Sequence, residues 1–544
     1  MSEALALDIQ GLSVALPRNA DRAFAIENMN LQVRPQEIVC IVGESGSGKS
    51  VTALSVMGLL PRALKATHGS IHVGGENVLI ASRTRLRELR GNRMAMIFQE
   101  PMTALNPVLP VGSQIEEALQ WHAANGAHAV SRKSVLDIMA SVGLPDPDEV
   151  SHSYPHQLSG GQRQRVMIAM ALVNEPALII ADEPTTALDV TTQARILRLM
   201  RDIQATHRSG ILFITHDFGV VAEIADRVVV MRHGRVVEQG DVEQILQNPQ
   251  HTYTRMLLDA VPRPEPRQAR AMPEAGVPVL STKNLTKTYG EIFLWRATRK
   301  VRALDNVSID VRRGETVGII GESGSGKSTL ARCIARLVEP SAGEIRLDGE
   351  EIGKKPQRAL RPFRRRVQIV FQDPYRSLNP RRTIGQSITE GPRNYGAEKS
   401  EAFAHARNLL DLVGIDVRGL DRYPHEFSGG QRQRIAIARA LAMNPEVLIA
   451  DEAVSALDVS VQAQVLDLVE KLRQQLGLTI LFITHDLRVA ARLCDTMAVM
   501  LNGQIVEYGT AEKVFLKPEH AYTQALLAAA PRAPALRAVT ASDP

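Results

Sequence analysis

The chain has 544 residues, 44% hydrophobic and 23% charged, enough for at least two domains with sizeable cores. Its 64 Lys+Arg against 59 Asp+Glu leave a net charge of +5, too mild an excess to point to nucleic acid. Three cysteines, Cys40, Cys333 and Cys494, form no CxxC pair, which disfavours a metal or iron–sulfur site and fits a reducing cytoplasm.

At the N-terminus, "MSEALALDIQGLSV" carries an acidic residue and no long apolar core, so it does not read as a signal peptide. No window reaches the ~18 uncharged apolar residues of a membrane span. Any work at a membrane is expected to go through docking. The first informative element is the apolar run "EIVCIVG", a buried strand that feeds directly into "GESGSGKS" at 43–50. That octet satisfies G-x-x-x-x-G-K-[ST]. Gly43, Glu44, Ser45, Gly46, Ser47 and Gly48 offer backbone N–H groups to a phosphate, and Lys49 would reach its outer oxygens. Ser50 would ligate Mg²⁺. Gln99 follows the next strand, opening "FQEPMTALNP", and could touch Mg²⁺ or an attacking water.

"SGGQ" at 159–162 reads first as a helix start, with Ser159 as cap and Gln162 at capping-box spacing. Gly160 and Gly161 also strip that helix start of side chains, so a phosphate could approach its N–H groups. "ALIIADE" is a short apolar strand ending in acids. Asp182 there can hold Mg²⁺, and Glu183 can orient or deprotonate the attacking water. "GILFITHD" ends the same way and places His216 at the same sheet edge, suited to a γ-phosphate contact. Ligands of such parallel sheets bind at the strand carboxyl ends, where all these polar residues fall.

After "HTYTRMLL" comes "VPRPEPRQARAMPEAGVP" (261–278), with five prolines and no apolar periodicity, expected to be extended and semi-rigid. Then everything recurs. The second copy has "GESGSGKS" at 321–328 (Gly321, Glu322, Ser323, Gly324, Ser325, Gly326, Lys327, Ser328) and Gln372 in "FQDPYRSLNP". It has "SGGQ" as Ser428, Gly429, Gly430 and Gln431, Asp451 and Glu452 in "ADEAVSALDV", His485 in "FITHD", and "HAYTQALL". The offset falls from 278 at the glycine loop to 269 at "SGGQ", so the copies differ by short insertions. A period this long is a duplicated domain. The expected division is 1–260, a linker 261–278, 279–530, and a tail 531–544. One local cluster, "RPFRRRVQ" at 361–368, reads either as a solvated surface or as a contact with anionic lipid or a partner.

Phosphate loop, Gln, "SGGQ", "ADE", "ALD" and His, in that order and twice, resemble the ATP-binding cassette (ABC) ATPases. The resemblance covers nearly the whole chain. It implies an α/β fold of two tandem P-loop nucleotide-binding domains, each with a mainly parallel core sheet, an antiparallel β subdomain and a helical subdomain. It implies ATP and Mg²⁺ as cofactors, with Ser50, Gln99, Asp182, Ser328, Gln372 and Asp451 at the metal. It also implies composite sites, in which one copy's loop works with the other copy's "SGGQ". Tyr289 is the natural adenine-stacking residue of the second copy; the matching place in the first is Leu16, with Phe24 as substitute. Two departures are Phe427 for Leu158 before "SGGQ", and Ala453 for Pro184.

"EPMTALNP", "DPYRSLNP" and the "HxYT" segments are similar to those of dipeptide, oligopeptide, nickel and glutathione importers; "DEAVSALDV" resembles the fused ATPase of glutathione importers. This implies two permease subunits and, through them, an extracytoplasmic binding protein. It implies a peripheral position on the cytoplasmic face of the bacterial inner membrane and no nucleic acid. The segments after Gln99 and Gln372, with Met102 and Tyr375, are the candidates for transmitting closure to the permeases. The segments after the two "HxYT" motifs, 261–278 and 528–544, hold no cysteine, so no iron–sulfur cluster is expected. Rival readings are a double cassette acting on ribosomes, a DNA-repair cassette, which would carry zinc cysteines, and a fused sugar-importer ATPase, whose second cassette is often degenerate.

Overall fold

The computed structural model describes residues 5–123, 131–186, 188–262, 277–290, 292–293, 296–297, 300–455 and 457–530. Most of the proline-rich stretch 261–278 and all of 531–544 lie outside these residues. The chain forms two compact units, one built mainly from residues before Val261 and the other mainly from 277 to 530.

In the first unit, the runs read as buried strands are buried along their whole length: Ile38–Val42, Leu178–Asp182 and Gly210–Ile214. Their lack of polar alternation requires cover on both faces. They belong to a six-stranded sheet ordered Arg235–Asp241, Arg227–Arg232, Ile38–Val42, Gly210–Ile214, Leu178–Asp182, Met94–Ile97. Its neighbours are parallel, except that Arg235–Asp241 is an antiparallel edge. Register sets Ile41 beside Ile214 and Asp182 beside the same Ile214, so the glycine loop, the acids and His216 leave one end of the sheet together. A separate antiparallel sheet orders Phe24–Val33, Leu7–Ala15, Lys65–Val73 and Glu76–Asn77. Val111–Ala123, Arg132–Ser141 and Gly160–Leu172 supply the helical part.

The second unit repeats this order. Its mainly parallel sheet runs Val367–Val370, Val447–Asp451, Thr479–Ile483, Thr316–Ile320, Thr496–Leu501, Gln504–Thr510, and its antiparallel sheet Val301–Val311, Leu280–Tyr289, Ala342–Leu347, Glu350–Glu351. The Phe427 departure is absorbed locally. Phe427 is buried, leans on Gly419 and lies under Arg422. The basic cluster is engaged within its own unit. Arg366 pairs with Asp348 and Glu446, Arg361 reaches the Asn394 carbonyl, and Arg364 reaches Gln357. Among the described residues, no helix is long and apolar enough to cross a membrane.

Candidate ATP site in each unit

The loop 43–50 turns because its glycines can. A Cβ on Gly43 would sit 2.2 Å from the Met231 carbonyl, so no other residue fits against the neighbouring strand. Gly46, at φ 77°, faces open space, as does Gly324 at φ 83°. The helix Lys49–Val56 begins inside the loop. Lys49 is 6% exposed, and its ammonium donates to the carbonyls of Gly43 (2.6 Å) and Glu44 (3.0 Å). Lys327 does the same to Gly321 (2.8 Å) and Glu322 (2.7 Å). Burial lowers the Lys327 pKa, opposed by the surrounding carboxylates. The Ser47 hydroxyl is buried without a hydrogen-bond partner. A buried donor left over at the start of a helix suits an anion such as phosphate.

Ser50 Oγ donates to Asp182 Oδ1 at 3.1 Å, and Ser328 Oγ to Asp451 Oδ1 at 2.9 Å. Burial, helped by the neighbouring Glu183, pushes the Asp182 carboxyl up to about 6; burial raises Asp451 likewise. A hard-oxygen pair whose negative charge is opposed by its surroundings suits a divalent cation such as Mg²⁺.

Glu183 stands one residue past the strand at φ 48°, and Glu452 at φ 49°, in left-handed backbone that a non-glycine residue rarely adopts. Gln99 Nε2 donates to Glu183 Oε2 at 2.9 Å, Thr186 Oγ1 donates to the same oxygen at 2.9 Å, and His216 Nδ1 lies 3.3 Å from Oε1. In the second unit, Gln372 Nε2 donates to Glu452 Oε2 at 2.8 Å and His485 Nδ1 lies 3.4 Å from it. Burial acts against the Glu183 charge, but His216, Thr186 and Lys49 outweigh it and hold the carboxyl down to about 2. Glu452 is lowered in the same way, and its carboxylate raises His485 against the opposing effect of burial. Each glutamine is thus bound to the glutamate and not to the Ser–Asp pair.

The "SGGQ" segments are helix starts. Ser159 Oγ accepts from the Gln162 N–H (3.2 Å) while Gln162 Oε1 accepts from the Ser159 N–H (2.9 Å), and Ser428 with Gln431 repeats the box at 3.3 and 2.9 Å. The two glycines do different work. A Cβ on Gly161 would meet Thr192 Cγ2 at 2.6 Å, and one on Gly430 would meet Val461 Cγ1 at 2.2 Å. A Cβ on Gly160 or Gly429 would find only a leucine methyl near 4 Å. The second glycine lets a neighbouring helix approach; the first leaves the helix start bare. Tyr289, 40% exposed, ends its strand opposite Val301, two residues before Ala303, whose carbonyl lies against Gly326. Leu16 packs on the first unit's core. Met102 and Tyr375 are exposed, and the Arg432 guanidinium lies 3.5 Å from the Tyr375 ring centre.

One contact had no role assigned in the sequence. The phenol of Tyr253 accepts the Glu44 N–H at 3.2 Å and donates to the Glu44 carboxylate at 3.2 Å; that of Tyr522 accepts the Glu322 N–H at 3.0 Å. Burial pushes both phenols up to about 12. The signal was the recurrence of "HxYT" in both copies, legible as a motif but silent about its target.

Residues 26–186 and 304–455 each match the ABC transporter family, and residues 237–289 and 506–542 each match the oligopeptide/dipeptide transporter C-terminal region. The peptidoglycan transport ATP-binding protein YejF of Agrobacterium fabrum is 47% identical, with 96% of both chains covered. The glutathione import ATP-binding proteins GsiA of Shigella dysenteriae and Escherichia coli K12 are 48% and 47% identical, covering 96% of this chain and 89% of theirs. Among solved structures, cbiO1 of Clostridium perfringens aligns at 30% identity and a TM-score of 0.40, over 44% of this chain and 92% of that one. The chain belongs to the ABC transporter family, as an ATP-hydrolysing subunit with two cassettes fused in one polypeptide.

Proposed function

We propose that this chain hydrolyses ATP to drive import of a solute with a short-peptide component through two membrane permeases. It would sit peripherally on the cytoplasmic face of the bacterial inner membrane, with an extracytoplasmic binding protein delivering the cargo. The observation that carries this is the oligopeptide/dipeptide C-terminal region, present after both cassettes. Relatives named for glutathione import and for peptidoglycan transport support the solute class, and glutathione is the finer reading. Permease coupling is favoured over ribosomes or DNA by the same matches.

Each loop would seat the β- and γ-phosphates, Lys49 or Lys327 neutralising their charge. Ser50 with Asp182, and Ser328 with Asp451, would hold Mg²⁺, which supplies charge neutralisation on the phosphate oxygens. Glu183 and Glu452 would hold the attacking water. A carboxylate kept as low as Glu183 is a weak base, which favours orienting the water over taking its proton early. Gln99 and His216, with Gln372 and His485, would fix those carboxylates and contact the γ-phosphate. The bare helix starts at Ser159 and Ser428 would complete the other cassette's site. Tyr289 would stack on adenine. Met102 and Tyr375, exposed just past the glutamines, would pass closure to the permeases. Tagged full-length chain extracted from membranes in mild detergent should bring down two integral membrane proteins, and vesicles holding that assembly should accumulate glutathione or dipeptides with ATP inside. Recovery with ribosomes or DNA instead would refute the proposal.

A further inference from the structure

We infer that Tyr253 and Tyr522 are positioning residues for the phosphate loops, each holding the loop's second residue so that the loop is set for nucleotide. The inference rests on the reading of 43–50 and 321–328 as the nucleotide seats.

The geometry is specific. Glu44 is gripped from two sides: its N–H goes to the Tyr253 phenol and its carbonyl to the Lys49 ammonium. Glu322 is gripped in the same way by Tyr522 and Lys327. A shift of that residue therefore moves the seat of the lysine meant for the phosphates. The tyrosine is itself held from behind. Its N–H donates to the ring of the preceding histidine, Tyr253 to His251 Nδ1 and Tyr522 to His520 Nδ1, both at 3.1 Å. A glutamate on the antiparallel edge strand clamps the approach to that histidine. Glu238 accepts the N–H groups of Gln250 (2.7 Å) and His251 (3.1 Å) and the Thr254 hydroxyl. Glu507 accepts those of Glu519 (2.9 Å) and His520 (3.1 Å). Arg232 lies 4.7 Å from the Tyr253 ring centre, on the strand whose Met231 carbonyl crowds Gly43. Edge strand, clamp, histidine, tyrosine and loop form one chain of contacts, present in two units that differ at most surrounding positions. A part that only closed off the sheet would need the ring and not the hydroxyl.

The test uses full-length chain with Tyr253→Phe, Tyr522→Phe and both. Phenylalanine keeps the ring in place and removes only the hydroxyl. Loss of the phenol's hydrogen bonds to Glu44 and Glu322 should raise KM for MgATP about 3- to 10-fold in the double variant, with the loss carried by KM and not by kcat. Tm should stay within about 2 °C, since no cavity is made. An unchanged KM in the double variant, whatever Tm does, would overturn the inference and leave the tyrosines a packing role. Lys49→Ala with Lys327→Ala is the control. If that variant bound MgATP normally, the seat reading itself would fail; if it lost binding while the Phe variants kept a normal KM, only the tyrosine inference would fail.

Discussion

Glu183 and Asp182 are neighbours in sequence with opposite electrostatics. Glu183 is held by His216 and Thr186, whereas Asp182 is raised by burial and the Glu183 charge against only the Ser50 hydroxyl and Lys49. Glu183→Gln with Glu452→Gln should leave ATP bound and lower turnover on the order of 10²–10³-fold, read by steady-state phosphate release beside nucleotide binding. Asp182 makes a different prediction. Its folded pKa of about 6 lies above the unfolded reference of 3.8. The folded form therefore binds its proton more tightly, and the stability gained that way is full below 3.8 and lost as pH rises through 6. At pH 7.5 the buried charge is a net cost. Asp182→Asn should raise the Tm of the nucleotide-free chain by about 2–4 °C, and the gain should fade between pH 6 and 4. Mg²⁺-dependent turnover should be lost in the same variant. A thermal-shift series across pH checks the sign; a gain that grew on acidification would refute the assignment.

Strands were the most legible elements, because "IVCIV", "LIIAD" and "ILFI" leave no face for water and lead into the candidate site residues. Helix starts were half legible. The spacing of Ser159 and Gln162 gave the capping box, but nothing in "SGG" says which glycine faces a neighbour, since that depends on a helix thirty residues away in sequence. Gly161→Ala and Gly430→Ala should each destabilise by about 1–3 kcal/mol through overpacking, seen as a lowered midpoint in urea. Gly160→Ala should leave stability unchanged, since alanine suits a helix better than glycine, yet raise KM for ATP if a phosphate approaches there. Equal stability losses at 160 and 161 would contradict the division of labour. The tyrosine contacts were not legible, because a hydrogen bond from residue 253 to residue 44 leaves no periodic trace.

At the scale of the molecule, duplication within one polypeptide keeps the two cassettes at high effective concentration, so the composite sites proposed above should close without dimerisation. With Cys40, Cys333 and Cys494 replaced, new cysteines at Ser45 and Ser428 should cross-link with ATP and the Glu→Gln pair present, giving a fast-running monomer on a denaturing gel. A product of twice the mass, or equal linking of Ser45 to Ser159, would overturn that arrangement. The native cysteines carry a separate consequence. All three are buried and burial raises each thiol pKa, so none should react while its surroundings stay folded. One lies in the first unit and two in the second. A timed pulse of alkylating reagent under rising denaturant, weighed on a mass spectrometer, therefore sorts molecules by adducts. One adduct means the first half has opened alone, two the second alone, and three both, so the unmutated chain carries its own record of which half yields first.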